Sequence, residues 1–321
     1  MPPAELDAAR ATAAPGPLSV AVVTDSTAYL PTDVVDRFGI EVVPLYVVLA
    51  GHSGREGSDV SSLEVARSLA VRGGHVSTSR PTPGDFVAVY RRLLDGGADR
   101  IVSVHLSGEL SGTWDAARVA ASQVGEHLVT VLDSRSAAMG TGFAVLAAAR
   151  VGAAGGSAAE VAAAARETAA ATRTFFVVDT LEHLRRGGRI GAAAALLGSA
   201  LAVKPVLHVA DGQVVPLERV RTSGRALNRL VQLAADLAGD RPVSAAVHHL
   251  AAPERAQRLA DQLAARLPGL RELFVSELGA AVGAHVGPGA VGVVVDPTPR
   301  PGTSSQATGP QAEGTPEPGE D

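Results

Sequence analysis

The segment Ser107-Gly108-Glu109-Leu110-Ser111-Gly112-Thr113 places three hydroxyls and two glycines in seven residues, directly after the apolar run Ile101–Leu106. Small residues let backbone N–H groups converge, and a following helix would present its positive N-terminal end. That combination suits an anion such as a carboxylate or a phosphate, with Ser107, Ser111 and Thr113 adding hydroxyl donors. The plainer reading is that Ser111 merely caps its helix. A Walker A loop is excluded, because no Gly-Lys-Ser/Thr ending follows.

Ser77-Thr78-Ser79-Arg80-Pro81 is a second hydroxyl cluster, placed just before a helix start. Loops of this kind can gather at the carboxyl edge of a parallel sheet, where ligands bind, although alone it reads as an ordinary turn. Arg185, Arg186 and Arg189 surround Gly187-Gly188, as an anion clamp or a docking patch. The first two read better as helix C-terminal residues complementing the dipole; Arg189 stays open. Gly283-Ala284-His285-Val286-Gly287-Pro288-Gly289 reads as a glycine-rich turn. Its His285 could donate to an anion, act as a base or bond to local backbone. The glycines there match the spacing of a dinucleotide fingerprint but precede a strand instead of following one, so that reading fails. His248-His249 lacks a third ligand at zinc spacing, and no metal site is expected. Asp25-Ser26-Thr27 lacks the second Asp of a phosphatase motif and is expected to order its loop. An enzymatic alternative, a hydrolase or phosphotransferase using Ser111 with His285 as base, needs a positioned acid that no motif identifies.

These residues need elements to position them. The chain has 321 residues, 46% hydrophobic but only 3% aromatic, so its core must be built from Ala, Val and Leu. A net charge of -5 gives no basic field for nucleic acid. The lack of cysteine excludes disulfides, thiolate metal sites and a Cys nucleophile, and fits a cytoplasmic location. Neither a signal peptide nor a membrane span is expected. Residues 1–17 and 297–321 read as a disordered extension and a disordered acidic tail.

Between them, residues 18–171 alternate strand and helix: Val20–Thr24, the β-branched run Glu41–Leu49, Ile101–Leu106 and Leu128–Leu132 as strands, with helices starting at Ser61, Thr82, Ser111, Ser136 and Ser157. This pattern predicts an N-terminal parallel-sheet, Rossmann-like α/β domain with helices on both faces. Residues 172–296 read differently. A hairpin turns at Asp211-Gly212 between Val206–Ala210 and Gln213–Val220. Helices Ser223–Ala238 and Pro253–Arg266 and strands Thr174–Val178, Val243–His249, Glu272–Glu277 and Ala290–Val295 accompany it. A C-terminal two-layer α+β domain with an antiparallel sheet is expected, abutting the first across a cleft.

Taken together, the motifs resemble those of the DegV family over roughly Leu18–Val295. The matching stretches are Val23-Thr24-Asp25-Ser26-Thr27, Thr78-Ser79-Arg80-Pro81, His105 to Thr113, Asp133-Ser134, Asp179 to Ile190, Val203-Lys204-Pro205, Val220-Arg221-Thr222 and His285 to Gly289. The resemblance implies a non-enzymatic carrier of a long-chain fatty acid, with the acyl chain buried and the carboxylate held at the domain junction. It further implies that a separate fatty acid kinase converts the bound acid to acyl-phosphate for phospholipid synthesis, with no other cofactor. Carried across, Thr78 and Ser111 become the carboxylate ligands, Ser107, Arg189 and His285 a supporting polar network, and Arg221 a residue for docking the kinase. The family often has Gln where Arg80 stands and a second Ser where Gly108 stands, so the chain departs from it at both positions.

Overall fold

The computed structural model describes residues 19–71, 74–196 and 204–298. The expected disordered extension 1–17, most of the expected acidic tail and Val203 of the Val203-Lys204-Pro205 motif lie outside the described residues. In chain order the first half contains β1 (Val20–Asp25), α1 (Thr32–Phe38), β2 (Glu41–Val43), β3 (Tyr46–Leu49), β4 (His52–Arg55), α2 (Ser62–Ala70) and β5 (Val76–Ser79). It continues with α3 (Pro83–Asp95), β6 (Arg100–His105), α4 (Thr113–Val124), β7 (Val129–Asp133), α5 (Met139–Ala153) and α6 (Ala158–Ala171).

β2, β1, β6 and β7 form a four-stranded sheet in that order, all pairings parallel. Strand side chains alternate between faces, and the sequence is apolar on both. Val22, Val102 and Val104 pack with residues of α5 and α6, whereas Val23, Ile101 and Val129 pack on Phe86 and Tyr90 of α3 and the alanines of α4. Helices on both faces are what the sequence predicts. The expected capping boxes form at Ser61 with Glu64, Thr82 with Asp85 and Ser157 with Glu160, each satisfying otherwise orphaned N–H groups.

Three expectations are corrected here. The run Glu41–Leu49 is not one strand: it breaks at Pro44, which has no N–H to donate to a ladder. β2 stays in the parallel sheet, while β3 pairs antiparallel with β4 and β5 in a separate three-stranded sheet. Ser77-Thr78-Ser79 is accordingly part of an edge strand and not a turn. The helix after the serine-rich segment starts at Thr113, two residues later than expected, with Gly112 as a cap that has no side chain to accept a bond.

The second half contains β8 (Arg173–Val177), α7 (Glu182–Arg186), β9 (Lys204–Ala210), β10 (Gln213–Val220), α8 (Ser223–Ala238), β11 (Val243–His249), α9 (Pro253–Arg266), β12 (Leu270–Glu277), α10 (Ala280–Val286) and β13 (Val291–Asp296). Its six-stranded sheet has the order β10-β9-β8-β13-β11-β12. The sheet is mixed: β11 and β12 run parallel, joined through α9, and every other pairing is antiparallel. Phe175, Val177, Val293 and Val295 pack on α8 and α9. The opposite face, with Phe176, Ala246 and Val294, turns toward the first half, where Met139 and Phe143 of α5 meet it. The expected glycine-rich turn 283–289 is a turn only at 287–289, with positive φ at Gly287 and Gly289; 283–286 belong to α10. Its alanines pack on Leu45, Val47 and Val65, locking the small three-stranded sheet to the second half.

The β9–β10 hairpin turns as predicted, with φ of 52° at Asp211 and 82° at Gly212, the pair of positive values a type I′ turn needs. A Cβ on Gly212 would also collide with Ser107 Oγ. Gly212→Val is expected to destabilise the protein by about 2 kcal/mol or more in urea denaturation, and Asp211→Asn by under about 0.5 kcal/mol.

Candidate functional site

The inner face of the six-stranded sheet, α10 and the loops after β1, β6 and β7 enclose a cavity of about 930 Å³, including its mouth. Leu45, Leu106, Leu110, Phe176, Leu184, Val214, Leu278, Val286 and Val294 make up much of its wall. Thr78, Ser111, Arg189 and His285 line the same cavity, so four candidates from four separate motifs converge. Ser107 and Arg221 do not line it.

β5 presents Thr78, and α10 presents His285 on its last turn; their side chains bond, Thr78 Oγ1 to His285 Nε2, at 2.9 Å. His285 Nδ1 is buried and has no hydrogen-bond partner among the described residues. It faces Gly187, where a Cβ would collide with it. A proton on Nδ1 would be a buried unsatisfied donor, so the packing assigns the proton to Nε2. Nε2–H then donates to Thr78 Oγ1, which leaves the Thr78 hydroxyl proton free to donate to a ligand. Burial, reinforced by the nearby Arg189 guanidinium, pushes the His285 pKa down to about 4, so the ring is neutral at pH 7.

Arg189 is fixed by two backbone carbonyls, donating from Nε to Leu110 O at 2.8 Å and from Nη1 to Gly187 O at 2.6 Å. It therefore ties the Arg185–Arg189 turn to the Ser107–Thr113 segment. Arg185 and Arg186 instead pair with Glu182 on their own helix, in keeping with a structural role. Ser111 Oγ accepts from Thr113 N at 3.3 Å and is hydrogen-bonded to Thr113 Oγ1 at 2.9 Å, with either hydroxyl able to donate. Ser111 thus both organises the start of α4 and faces the cavity. The couple required by the hydrolase alternative is not formed: His285 Nε2 engages Thr78 and not Ser111, and no carboxylate meets Nδ1.

Ser107 does a different job from the one expected. Fully buried, it donates from Oγ to Gly212 O at 2.8 Å and accepts from Glu109 N at 3.2 Å, pinning the hairpin turn to this loop. Gln213 Nε2 to Glu109 Oε2 at 2.8 Å and Arg135 Nη2 to Asp211 O at 2.9 Å reinforce the contact. Arg221 is exposed, at the junction of β10 and α8. At the two departures, Gly108 lies under the Trp114 indole, where a Cβ would sit 3.1 Å from Cε3. The exposed Arg80 packs its guanidinium on Gly112, and a side chain there would have to displace it.

One constellation escaped the sequence reading. Tyr90 OH donates to Ser103 Oγ at 2.8 Å, Ser103 bonds His105 Nε2 at 2.7 Å, and His105 Nδ1 meets Asp25 Oδ2 at 2.9 Å. It has the residue types of a catalytic triad, but all four side chains are fully buried and none lines the cavity. Asp25 also accepts from Leu106 N at 3.1 Å and from Thr27 N at 3.1 Å, so the network orders two cavity-lining loops. The alternation within Ser103-Val104-His105 was the available signal, since it puts both polar residues on one face of β6. His248, a further lining residue, accepts from Met139 N at 3.2 Å and bonds Ser276 Oγ at 3.1 Å, and burial lowers its pKa to about 4.

Among the described residues, no cluster of three His, Cys, Asp or Glu side chains could hold a metal ion, and no helix is long and apolar enough to cross a membrane.

A parallel α/β sheet and a mixed sheet thus meet over an apolar cavity with hydroxyl, imidazole and guanidinium groups in its wall. The family model described as "Uncharacterised protein, DegV family" matches residues 19–298, and the chain belongs to that family. A DegV domain-containing protein of Streptomyces coelicolor is 55% identical over 276 residues, 86% of this chain and 98% of that one. Among solved structures, the chain is similar to a DegV family protein from Thermus thermophilus described by its fatty acid binding (TM-score 0.84, 35% identity, 88% of this chain and 100% of that one). It is also similar to DegV of Bacillus subtilis, described as a fatty acid binding protein (TM-score 0.80, 35% identity, again 88% and 100%).

Two predictions follow from these contacts. Ser107→Ala leaves Gly212 O and Glu109 N without their partner and is expected to cost about 1–3 kcal/mol in urea denaturation, with ligand affinity changed by less than about threefold. The depressed pKa values of His248 and His285 mean that, from the ordinary 6.5 down to about 4, the unfolded chain holds protons the folded chain does not. The stability they contribute is complete above that window and is lost as pH falls through it. Denaturation at pH 7 and pH 4.5 checks this, and His248→Asn is expected to flatten the dependence.

Proposed function

We propose that this protein binds a long-chain fatty acid, with the carboxylate received by Thr78 and Ser111 and the acyl chain in the apolar cavity. The observation that carries the reading is the convergence of Thr78, Ser111, Arg189 and His285 on one aliphatic cavity. A carboxylate removed from water needs several hydrogen bonds, and charge-assisted donors are the strong ones. The Thr78 hydroxyl, polarised by His285, and the Ser111 hydroxyl supply them, and Arg189 adds a favourable field. The tail contributes about 0.8 kcal/mol per buried CH₂. The fatty-acid-binding relatives from Thermus thermophilus and Bacillus subtilis support the same reading.

The protein acts as a carrier, and a separate fatty acid kinase phosphorylates the carboxylate it presents. Support comes from a second, polar hollow of about 600 Å³ that shares Thr78, Arg189 and His285 with the cavity and adds His75, Ser77, His183 and Arg186. The head group would be reachable from this side by a phosphoryl donor held on another protein, and the Arg189 guanidinium suits the acyl-phosphate product. The exposed Arg221 serves as a docking residue for that kinase. The two halves, 18–171 and 172–296, are read as the domains whose junction holds the carboxylate. No cofactor beyond the lipid is required, and the site of action is the cytoplasm.

Organic extraction of the purified protein and mass spectrometry are expected to recover a stoichiometric long-chain fatty acid. Thr78→Val and Ser111→Ala should each weaken palmitate binding by about tenfold or more, the loss of a hydrogen bond to a charged group. Recovery of no acyl chain together with ester turnover lost in Ser111→Ala would overturn the carrier in favour of a hydrolase.

A further inference from the structure

We propose that Glu56 is a positioning residue for the head-group site, its buried carboxylate fixing the helix that brings His285 to Thr78. The role of the site in binding rests on the reading above; the structural linkage does not.

Glu56 follows β4 at the end of the small sheet and is only 7% exposed. No cation pairs with it among the described residues. Its charge is met instead by dipoles. Oε1 accepts from Ala281 N at 2.8 Å and from Tyr29 OH at 3.1 Å, and Oε2 accepts from Ser26 Oγ. The two hydroxyls pass the network on, since Tyr29 OH accepts from Val282 N at 3.2 Å and Ser26 Oγ from Leu45 N at 3.0 Å. Leu45, Ala281 and Val282 all line the cavity, so one carboxylate governs three pieces of wall backbone.

Ala281 and Val282 lie in the first turn of α10, where N–H groups have no acceptor within the helix. Glu56 supplies that acceptor directly to one and, through Tyr29, to the other, and its negative charge suits the N-terminal end. His285 sits four residues after Ala281, about one helical turn on. On its far side the ring faces Gly187, and Nδ1 makes no hydrogen bond there. The ring's position is therefore set by the seat of α10 together with Thr78. Two further features fit this closeness. A Cβ on Gly279 would collide with Glu56 Oε1, and Tyr29 keeps a left-handed φ of 48°, unfavourable for a residue with a side chain. Burial raises the Glu56 pKa, while the hydrogen bonds from Ser26, Ala281 and Tyr29 oppose that rise.

The test compares Glu56→Ala, Glu56→Gln and Tyr29→Phe in the full chain, by palmitate affinity and by NMR titration of the His285 ring. Glu56→Ala is expected to weaken palmitate binding by about tenfold or more, and to raise the His285 midpoint from about 4 toward 6.5 as water reaches the ring. The His208 midpoint should stay in place. Glu56→Gln keeps an acceptor for Ala281 N and should remain within about threefold of the parent affinity with an unshifted His285. Tyr29→Phe removes only the link to Val282 and should move the His285 midpoint upward by less. Unchanged affinity and His285 titration in Glu56→Ala would overturn the proposal. If that variant does not fold, an unmoved His285 midpoint in Tyr29→Phe overturns it equally. A parent protein that fails to bind palmitate would remove the ligand reading, while the His285 titration still decides the role of Glu56.

Discussion

The hydrogen bond between Thr78 and His285 joins residues 207 positions apart, and most of the site's architecture serves to make it possible. Thr78 belongs to the edge of a three-stranded sheet, and His285 to a helix of only seven residues. Short helices owe their stability to tertiary packing, and a small sheet gains from packing against a helix. Here each is the other's support, through Ala280, Ala281 and Ala284 against Leu45, Val47 and Val65. The methyl-sized side chains allow the backbones to approach closely enough for the polar pair to meet, and Gly187 gives the imidazole room on its other side. An alanine-rich composition is thus part of the geometry of the polar site as well as of the core.

Three imidazoles, two buried and His285 partly so, show how environment divides one residue type into separate roles. His105 is held between Asp25 and Ser103 and spends both nitrogens on ordering loops. His248 lines the cavity yet offers nothing to a ligand, because Met139 and Ser276 occupy both of its ring nitrogens. His285 alone keeps one nitrogen bare, and its protonated nitrogen passes polarity to a hydroxyl that faces the cavity. Sequence motifs do not distinguish these cases, because the difference lies in partners supplied by distant strands.

Legibility in the sequence followed the range of the forces involved. The hairpin at Asp211-Gly212, helices 223–238 and 253–266 and strand 243–249 agree with expectation, because local turn chemistry, caps and amphipathic periodicity decide them. The helix Ala280–Val286 extends into the expected glycine-rich turn 283–289, whose three glycines hide it locally, and leaves only 287–289 as a turn. Its first turn is completed by Glu56, 225 residues away. The strand Val76–Ser79 was misread for a similar reason: polar edge strands carry little apolar signal and exist by pairing with a partner, here β3. At the site, residue types pointed to Thr78, Ser111, Arg189 and His285. Ser107 carries the same hydroxyl as Ser111, but the direction of a side chain in a glycine-rich loop is set by its tertiary contacts. Gly212 O, found only after the fold closes, turns Ser107 away from the cavity.

That hairpin turn has a wider consequence. Tight turns at strand tips are ordinarily where a chain tolerates change, because they project into solvent. This one is gripped by Ser107, Glu109 and Arg135, so its two residues act as a keystone for a loop a hundred positions earlier. Lengthening the hairpin by a residue would leave both of its strands intact and still shift the floor beneath Ser111. The outer rim of the second sheet is, in this sense, a working component of the chamber formed with the first half.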